Sequence, residues 1–282
     1  MEETQFQSTY IVERNLPQVK ELIAKANPFE VMRIRQALEN PNPDNLWYGT
    51  YINEKIQAVV LMGDQVMHLY AQAAPPMTTT GMQLVRSQSK QRTDGRSLKL
   101  FGPSDLVDAF WQGYRNSSRT LFEENKIGGF LLTDFKGRLN DAYTVRPATT
   151  KDALLVFDFL GEQMITEIGA DLRKVGKESL EKLCSSLISE KRIWMGFQRG
   201  KPAFILKTTQ HSDFLLLENM HFPLPMRRPK VILGILSQIS AQLLSQSGPL
   251  LCYVDLAKED WLTALRDIGY EQKCSLKSMN LR

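Results

Sequence analysis

The sequence predicts an α/β protein of two tandem domains, residues 1–138 and 139–282, each a mixed, mostly antiparallel sheet flanked by helices. Three observations predict it. The 282 residues amount to about two domains on the usual scale. Hydrophobic residues at 43% and charged residues at 23% match an ordinary globular protein and exclude a disordered chain, a collagen-like repeat or a disulfide scaffold. The order strand, helix, helix, three strands, helix, strand, helix, strand is legible in both halves, and a duplicated order is stronger evidence than any single element.

In the first half, Tyr10-Ile11-Val12 reads as a short strand, and Pro17 to Ala26 and Phe29 to Glu39 read as helices. Strands Leu46 to Ile52 and Ile56 to Met62 flank a turn at Asn53-Glu54-Lys55. Gln65 to Ala71 is a strand running toward Pro75-Pro76, and Gly81 to Gln91 is a helix. Thr78, Thr79 and Thr80 before it read as N-caps. Leu98 to Phe101, Ser104 to Tyr114 and Gly129 to Thr133 complete the half as strand, helix and strand. The boundary is expected in the polar stretch Lys136 to Asp141. Trp47, Tyr48, Trp111 and Tyr114 are expected in a core or an interface.

In the second half, Thr149 and Thr150 can cap a helix, with Asp152 in the first turn where the helix dipole favours an acid. Ala153, Val156, Phe157, Leu160 and Met164 recur at helical spacing. Leu180, Leu183, Cys184, Leu187 and Ile188 form the apolar face of a second helix. Ile193 to Phe197 and Ala203 to Leu206 flank Arg199-Gly200-Lys201 as a hairpin. Phe214 to Phe222 is a third strand, ending at Pro223 and Pro225. A helix Val231 to Ser245, a strand Leu250 to Asp255, a helix Glu259 to Asp267 and a strand Tyr270 to Leu281 follow.

Charge is nearly balanced: 35 Lys and Arg against 31 Asp and Glu give a net of +4. The balance alone says nothing about partners, and a nucleic-acid binder, with only this mild excess behind it, ranks last. Cys184, Cys252 and Cys274 form no CxxC pair, so no zinc site or other metal is expected. Their sparse, odd count fits a reducing compartment. The start Met1-Glu2-Glu3-Thr4-Gln5 is acidic and polar, unlike a signal peptide, and no apolar run approaches a membrane span. A cytoplasmic protein is expected. No Gly-x-Ser-x-Gly elbow, P-loop or dinucleotide fingerprint is present.

The element order, together with Pro225-Met226-Arg227-Arg228-Pro229-Lys230-Val231-Ile232-Leu233 at a strand-to-helix junction, resembles the GNAT acyltransferase superfamily. In that family a loop Pro-x-x-Arg-Gly-x-Gly-x-Gly/Ala opens the helix. Val254-Asp255-Leu256 through Ile268-Gly269-Tyr270 is similar to the family's strand, helix and closing Gly-Phe/Tyr. Thr166-Glu167-Ile168-Gly169 and Phe204-Ile205-Leu206-Lys207 also resemble bacterial tandem GNAT proteins, in which a degenerate N-terminal half precedes the half that holds the acetyl-CoA loop.

The resemblance implies transfer of an acyl group from acetyl-CoA or another acyl-CoA to a small-molecule or peptide amine. It implies a donor site at Arg227, Arg228, Lys230, Val231, Ile232, Leu233 and Gly234. The family's glycines let phosphate oxygens approach bare backbone at a helix start. This sequence departs at all three. Pro229 has no N–H, Val231 and Leu233 are branched, and Gly234 lies one residue past the last usual glycine. Arg227, Arg228 and Lys230 keep positive charge there. Two readings stay open: rearranged acyl-CoA binding through basic side chains, or a relic loop with a solvated basic rim.

Glu218, on the strand before that loop among Leu215, Leu216, Leu217 and Met220, is the implied general base. The alternative is that it faces solvent or pairs with a nearby Arg or Lys. His221 is a second candidate, against a structural role. The family's acid position falls on Leu265, which cannot protonate a thiolate, and Tyr253, on the strand before that helix, substitutes only if its hydroxyl faces the cleft. The matching loop of the first half, Ala73 to Gly81, has no basic residue beside it until Arg86, so that half is expected to serve structurally. The competing function is a non-catalytic binding or scaffold protein, and a homodimer is left open.

Overall fold

The computed structural model describes residues 6–63, 66–88, 98–115, 117, 119–166 and 176–282. The chain divides into two compact units. Unit 1 takes the described residues within 1–128, 255–257 and 274–282; unit 2 takes those within 129–254 and 258–273.

Unit 1 follows the predicted order: β1 (Phe6–Tyr10), α1 (Leu16–Ala24), α2 (Met32–Glu39), β2 (Leu46–Ile52), β3 (Lys55–Met62), β4 (Val66–Ala71), α3 (Ala74–Gln88), β5 (Leu98–Pro103), α4 (Ser104–Tyr114) and β6 (Leu121–Leu132), whose first part, 121–128, belongs here. β1 to β4 are an antiparallel meander, and β4 pairs with β5 in parallel. The β2–β3 hairpin turns through Asn53 and Glu54 at φ 48° and 64°, the left-handed geometry a two-residue hairpin loop needs. The last strand of the chain, β12 (Glu271–Leu281), sends its residues from Cys274 onward into this unit, antiparallel to β5 from Leu276↔Pro103 to Leu281↔Leu98. Lys277, buried, places its ammonium 2.8 Å from Asp108 of α4 and 2.9 Å from Glu124 of β6. Thr120 and Arg282 exchange backbone hydrogen bonds of 2.8 and 3.0 Å. The sheet has a core on each face. Leu69, Met77, Leu84, Leu100 and Phe110 pack under α3 and α4; Val19, Ile34, Val59 and Leu61 pack under α1 and α2.

Unit 2 repeats the order as β7 (Tyr143–Pro147), α5 (Ala153–Thr166), α6 (Lys177–Ser189), β8 (Ile193–Gln198), β9 (Lys201–Gln210), β10 (Leu215–His221), α7 (Pro229–Ser247), β11 (Leu250–Asp255), α8 (Glu259–Ile268) and the start of β12. β7 to β10 are again an antiparallel meander and β10 is parallel to β11. Arg199 and Gly200 at φ 49° and 77° make the β8–β9 turn. The predicted cap holds: the Thr149 N–H donates to Asp152 at 2.8 Å, and Arg146 clamps the same carboxylate at 2.7 and 2.9 Å. Val156, Leu160, Leu180, Cys184 and Leu187 bury one face of the sheet with Ile193, Met195 and Ile205, whereas Leu183 is half exposed.

Several expectations are corrected. The first strand is Phe6–Tyr10, since Tyr10 closes the ladder with Tyr48. The third helix begins at Ala74, seven residues before the expected Gly81, because prolines in a first helical turn give up only amides that lack helical partners. Thr78, Thr79 and Thr80 are therefore inside the helix, and their hydroxyls donate to the carbonyls of Ala74, Pro75 and Pro76 rather than capping. The strand expected at Gly129 starts at Leu121, and Tyr143–Pro147, for which the sequence offered no located strand, is β7. The stretch 167–169, the ends expected at Gln65 and Gln91, and the chain start at 1–5 lie outside the described residues.

Candidate active site in the second unit

The parallel ladder of β10 and β11 runs for three pairs, Leu215 to Leu217 against Leu250 to Cys252. The next residues in line are Glu218 and Tyr253, the two predicted catalytic candidates. The equivalent ladder of unit 1 ends at His68↔Phe101, and the next residues are Leu69 and Gly102. There the backbones stay in contact: a Cβ on Gly102 would lie 2.6 Å from the Leu69 carbonyl oxygen. Tyr253 carries a side chain where unit 1 has this glycine, so the close approach of Leu69 to Gly102 is not repeated with the same residue types in unit 2.

A bulge re-aims β10 at this point. Glu218 pairs with Lys207 of β9, but His221 pairs with Ile205, so three steps on β10 match two on β9. Asn219 absorbs the extra residue at φ 51°. Because Lys207 and Ile205 share a face, Glu218 and His221 do too, and Ile205 packs in the core beneath α5. Glu218 accepts a 2.6 Å hydrogen bond from the Thr209 hydroxyl and faces the Lys207 ammonium at 3.0 Å. Arg192 steadies Thr209 from behind, donating to its hydroxyl at 3.0 Å and to the Thr208 carbonyl at 3.1 Å. His221 is fully buried, with Glu162 of α5 3.6 Å from Nε2 and the Phe159 ring edge-on at 6.4 Å. Tyr253 is partly exposed on the face of β11 opposite Cys252, whose thiol burial pushes up beyond ordinary titration. Leu265 is buried in α8.

The predicted donor residues separate into two groups. Arg227, Arg228 and Lys230 are exposed at the start of α7; Val231, Ile232 and Gly234 are buried, and Leu233 is half-buried. Arg228 is the N-cap and Pro229 the first helical residue. The Arg228 carbonyl accepts both the Val231 and Ile232 N–H groups, at 2.9 and 3.0 Å, and the Arg228 N–H donates to Met226 at 2.8 Å. Those amides are committed within the chain, and proline offers none. Gly234 is needed for packing, since a Cβ there would meet the Tyr143 ring at 2.2 Å. Arg227 donates from Nε to the Phe222 carbonyl at 2.7 Å and so braces the junction. The helix start is thus unsuited to hold a diphosphate by backbone and suited to attract it by Arg228 and Lys230 side chains. Phe222 packs edge-on against Trp261 of α8 at 5.4 Å, over which Lys258 lies at 5.7 Å.

No protein-family model matches the sequence, and no curated protein matches it. Solved structures do match, over nearly the whole chain. A GCN5-related N-acetyltransferase from Sphaerobacter thermophilus superimposes with a TM-score of 0.68 at 10% identity, over 98% of this chain and 95% of that one. A tandem GNAT protein from the clavulanic acid biosynthesis pathway gives 0.60 at 11% identity, over 98% of each chain. This chain has a GNAT fold. A GNAT-family acetyltransferase from Colwellia psychrerythraea agrees, at 0.59 and 13% identity over 98% of this chain and all of that one. The junctions at α3 and α7 each have proline in the first helical turn.

Lys207, Thr209, Arg192, Glu162 and Phe159 were missed by the sequence analysis as neighbours of Glu218 and His221. The alternating β9 segment Ile205-Leu206-Lys207-Thr208-Thr209 carried a faint signal, two polar residues on the face of Ile205. Only the register across the hairpin reveals what they touch. Among the described residues no helix is long and apolar enough to cross a membrane, no cluster of His, Cys, Asp or Glu could hold a metal, and the three cysteines are buried and form no disulfide.

Proposed function

We propose that unit 2 is an acyl-CoA-dependent N-acyltransferase, acting on a small-molecule or peptide amine in the cytoplasm. The observation that carries this reading is the end of the β10–β11 ladder next to Glu218 and Tyr253, shortly before a helix start that presents Arg228 and Lys230, and we place a gap between the two strands there. The gap receives the thioester arm of acetyl-CoA or another acyl-CoA, and the two cations meet its diphosphate as side-chain donors in place of amides. Glu218 is the base. It is held by Thr209 and Lys207, and takes the proton that the acceptor nitrogen loses as that nitrogen bonds to the thioester carbonyl carbon. Tyr253 gives a proton to the departing thiolate. Unit 1 supplies structure rather than chemistry.

The test is release of free CoA thiol from acetyl-CoA and longer acyl-CoAs across a panel of amines. Glu218→Gln should lower turnover by about 10²–10⁴-fold and remove the acidic limb of the pH–rate profile. Tyr253→Phe should cost less. An unchanged profile in Glu218→Gln removes that residue from the mechanism.

One observation favours a second reading, a non-catalytic GNAT-fold binding or scaffold protein: the Val231 and Ile232 amides are already bonded to Arg228. On that reading no acyl-CoA binds, and Arg228→Ala changes no affinity.

A further inference from the structure

Unit 1 contains a cavity of about 330 Å³ bordered by α2, the Asn40–Asn45 segment, the end of β3 and the start of β4, at the opposite end of β4 from its junction with α3. Its place sets it apart from the GNAT donor junction, and it does not depend on the function proposed for unit 2. Its polar lining is Arg33, Gln36, Asn40, Asn45 and His68; among the described residues that line it there is no carboxylate. Gln36 accepts a 2.9 Å hydrogen bond from Arg33 Nη1 one turn away on α2, which fixes the guanidinium plane.

His68 is the more informative member. Its Nδ1 is enclosed and has no hydrogen-bond partner, with the ring edge-on to Phe101 at 5.7 Å. Nε2 is then the nitrogen open to the cavity. Burial first, and the Arg33 and Lys99 charges second, pull the imidazole down to about 3, so it is neutral at pH 7. A neutral ring that encloses one nitrogen as a bare lone pair offers the other as an N–H donor. Guanidinium, imidazole N–H and three carboxamides make a lining rich in donors, and the field of Arg33 and Lys99 that disfavours a charged His68 favours an anion.

We propose that this cavity binds the carboxylate of a small organic acid, with Arg33 as its anchor and His68 Nε2 as a second donor. A carboxylate has two oxygens for the guanidinium fork and spare lone pairs for the ring and an amide.

The test uses the whole protein with nitrogen-15-labelled histidine, titrated at pH 7 with sodium succinate and, in parallel, with methylammonium chloride at equal ionic strength. The His68 ring resonances should move saturably with succinate and stay still with methylammonium. Arg33→Gln should weaken succinate binding about tenfold or more. Asn40→Asp, an exposed position whose change leaves the fold intact, should weaken it by placing a like charge at the rim. Silence with succinate, an equal response to methylammonium, or undiminished binding in Asn40→Asp overturns the proposal.

Discussion

The two units share one chain order and differ most where their parallel ladders end. In unit 1 the ladder passes into Leu69 and Gly102 in backbone contact, β4 reaches α3 through Gln72 and Ala73 alone, and α3 opens on Pro75 and Pro76. In unit 2 the ladder passes into Glu218 and Tyr253, β10 carries a bulge, and a seven-residue segment with two arginines leads to α7. The first arrangement brings the two backbones together and gives up two helix-start amides. The second has a tyrosine where the first has glycine, loses one amide to Pro229 and adds cations. The lesson is that a duplicated scaffold can keep one order of elements while the same ladder position takes a glycine in close backbone contact in one copy and a tyrosine in the other.

The comparison breaks most sharply at Gly102. Gly102→Ala puts a methyl against a backbone oxygen that cannot swing aside, and should destabilise unit 1 by about 3 kcal/mol by denaturant melting. If that variant is as stable as the parent, the strands of unit 1 are not held together as described.

The next effect tests how unit 1 holds the chain's last strand. Burial alone would lower the Lys277 ammonium, but its hydrogen bonds to Asp108 and Glu124 hold it above the ordinary 10.5. Its contribution is therefore full below that pH and is lost as pH rises through the higher folded value. Lys277→Ala should cost about 2 kcal/mol at pH 7 and flatten the alkaline melting of unit 1.

Asp152 gives the matching acid-side test in unit 2. Hydrogen bonds from Arg146 chiefly, opposed by burial and reinforced by Thr149, hold its carboxyl well below the ordinary 3.8. That stability is present above pH 3.8 and is lost as pH falls toward the lower folded value. Asp152→Asn should cost about 1 kcal/mol at pH 7 and remove that acid sensitivity, read by pH-dependent melting. The smallest expected effect is at the β8–β9 turn, where Arg199→Asn should stabilise by about 0.5 kcal/mol because asparagine tolerates positive φ better.

The order of elements was legible because periodicity is local: Leu46–Ile52, Ser104–Tyr114 and Leu250–Asp255 come out residue for residue. The hairpin at Arg199-Gly200 was legible for the same reason. The start of α3 was not, since a proline pair reads as a breaker when its position in the first turn is unknown. Glu218 and Tyr253 were singled out from family likeness. That they sit at matching ends of one ladder needed the register, as did the bulge at Asn219 that turns Glu218 and His221 to one face. Gly234 was legible as a glycine near a phosphate loop, but its reason is the Tyr143 ring, on a strand far away in sequence.

The claim that unit 2 keeps a working donor gap through side chains is tested most directly by calorimetric titration of the whole protein with acetyl-CoA and a longer acyl-CoA. The account predicts saturable heat that is lost in Arg228→Ala and kept in an Arg86→Ala control from α3 of unit 1. Absence of heat at millimolar ligand, or equal binding by Arg228→Ala, would contradict it.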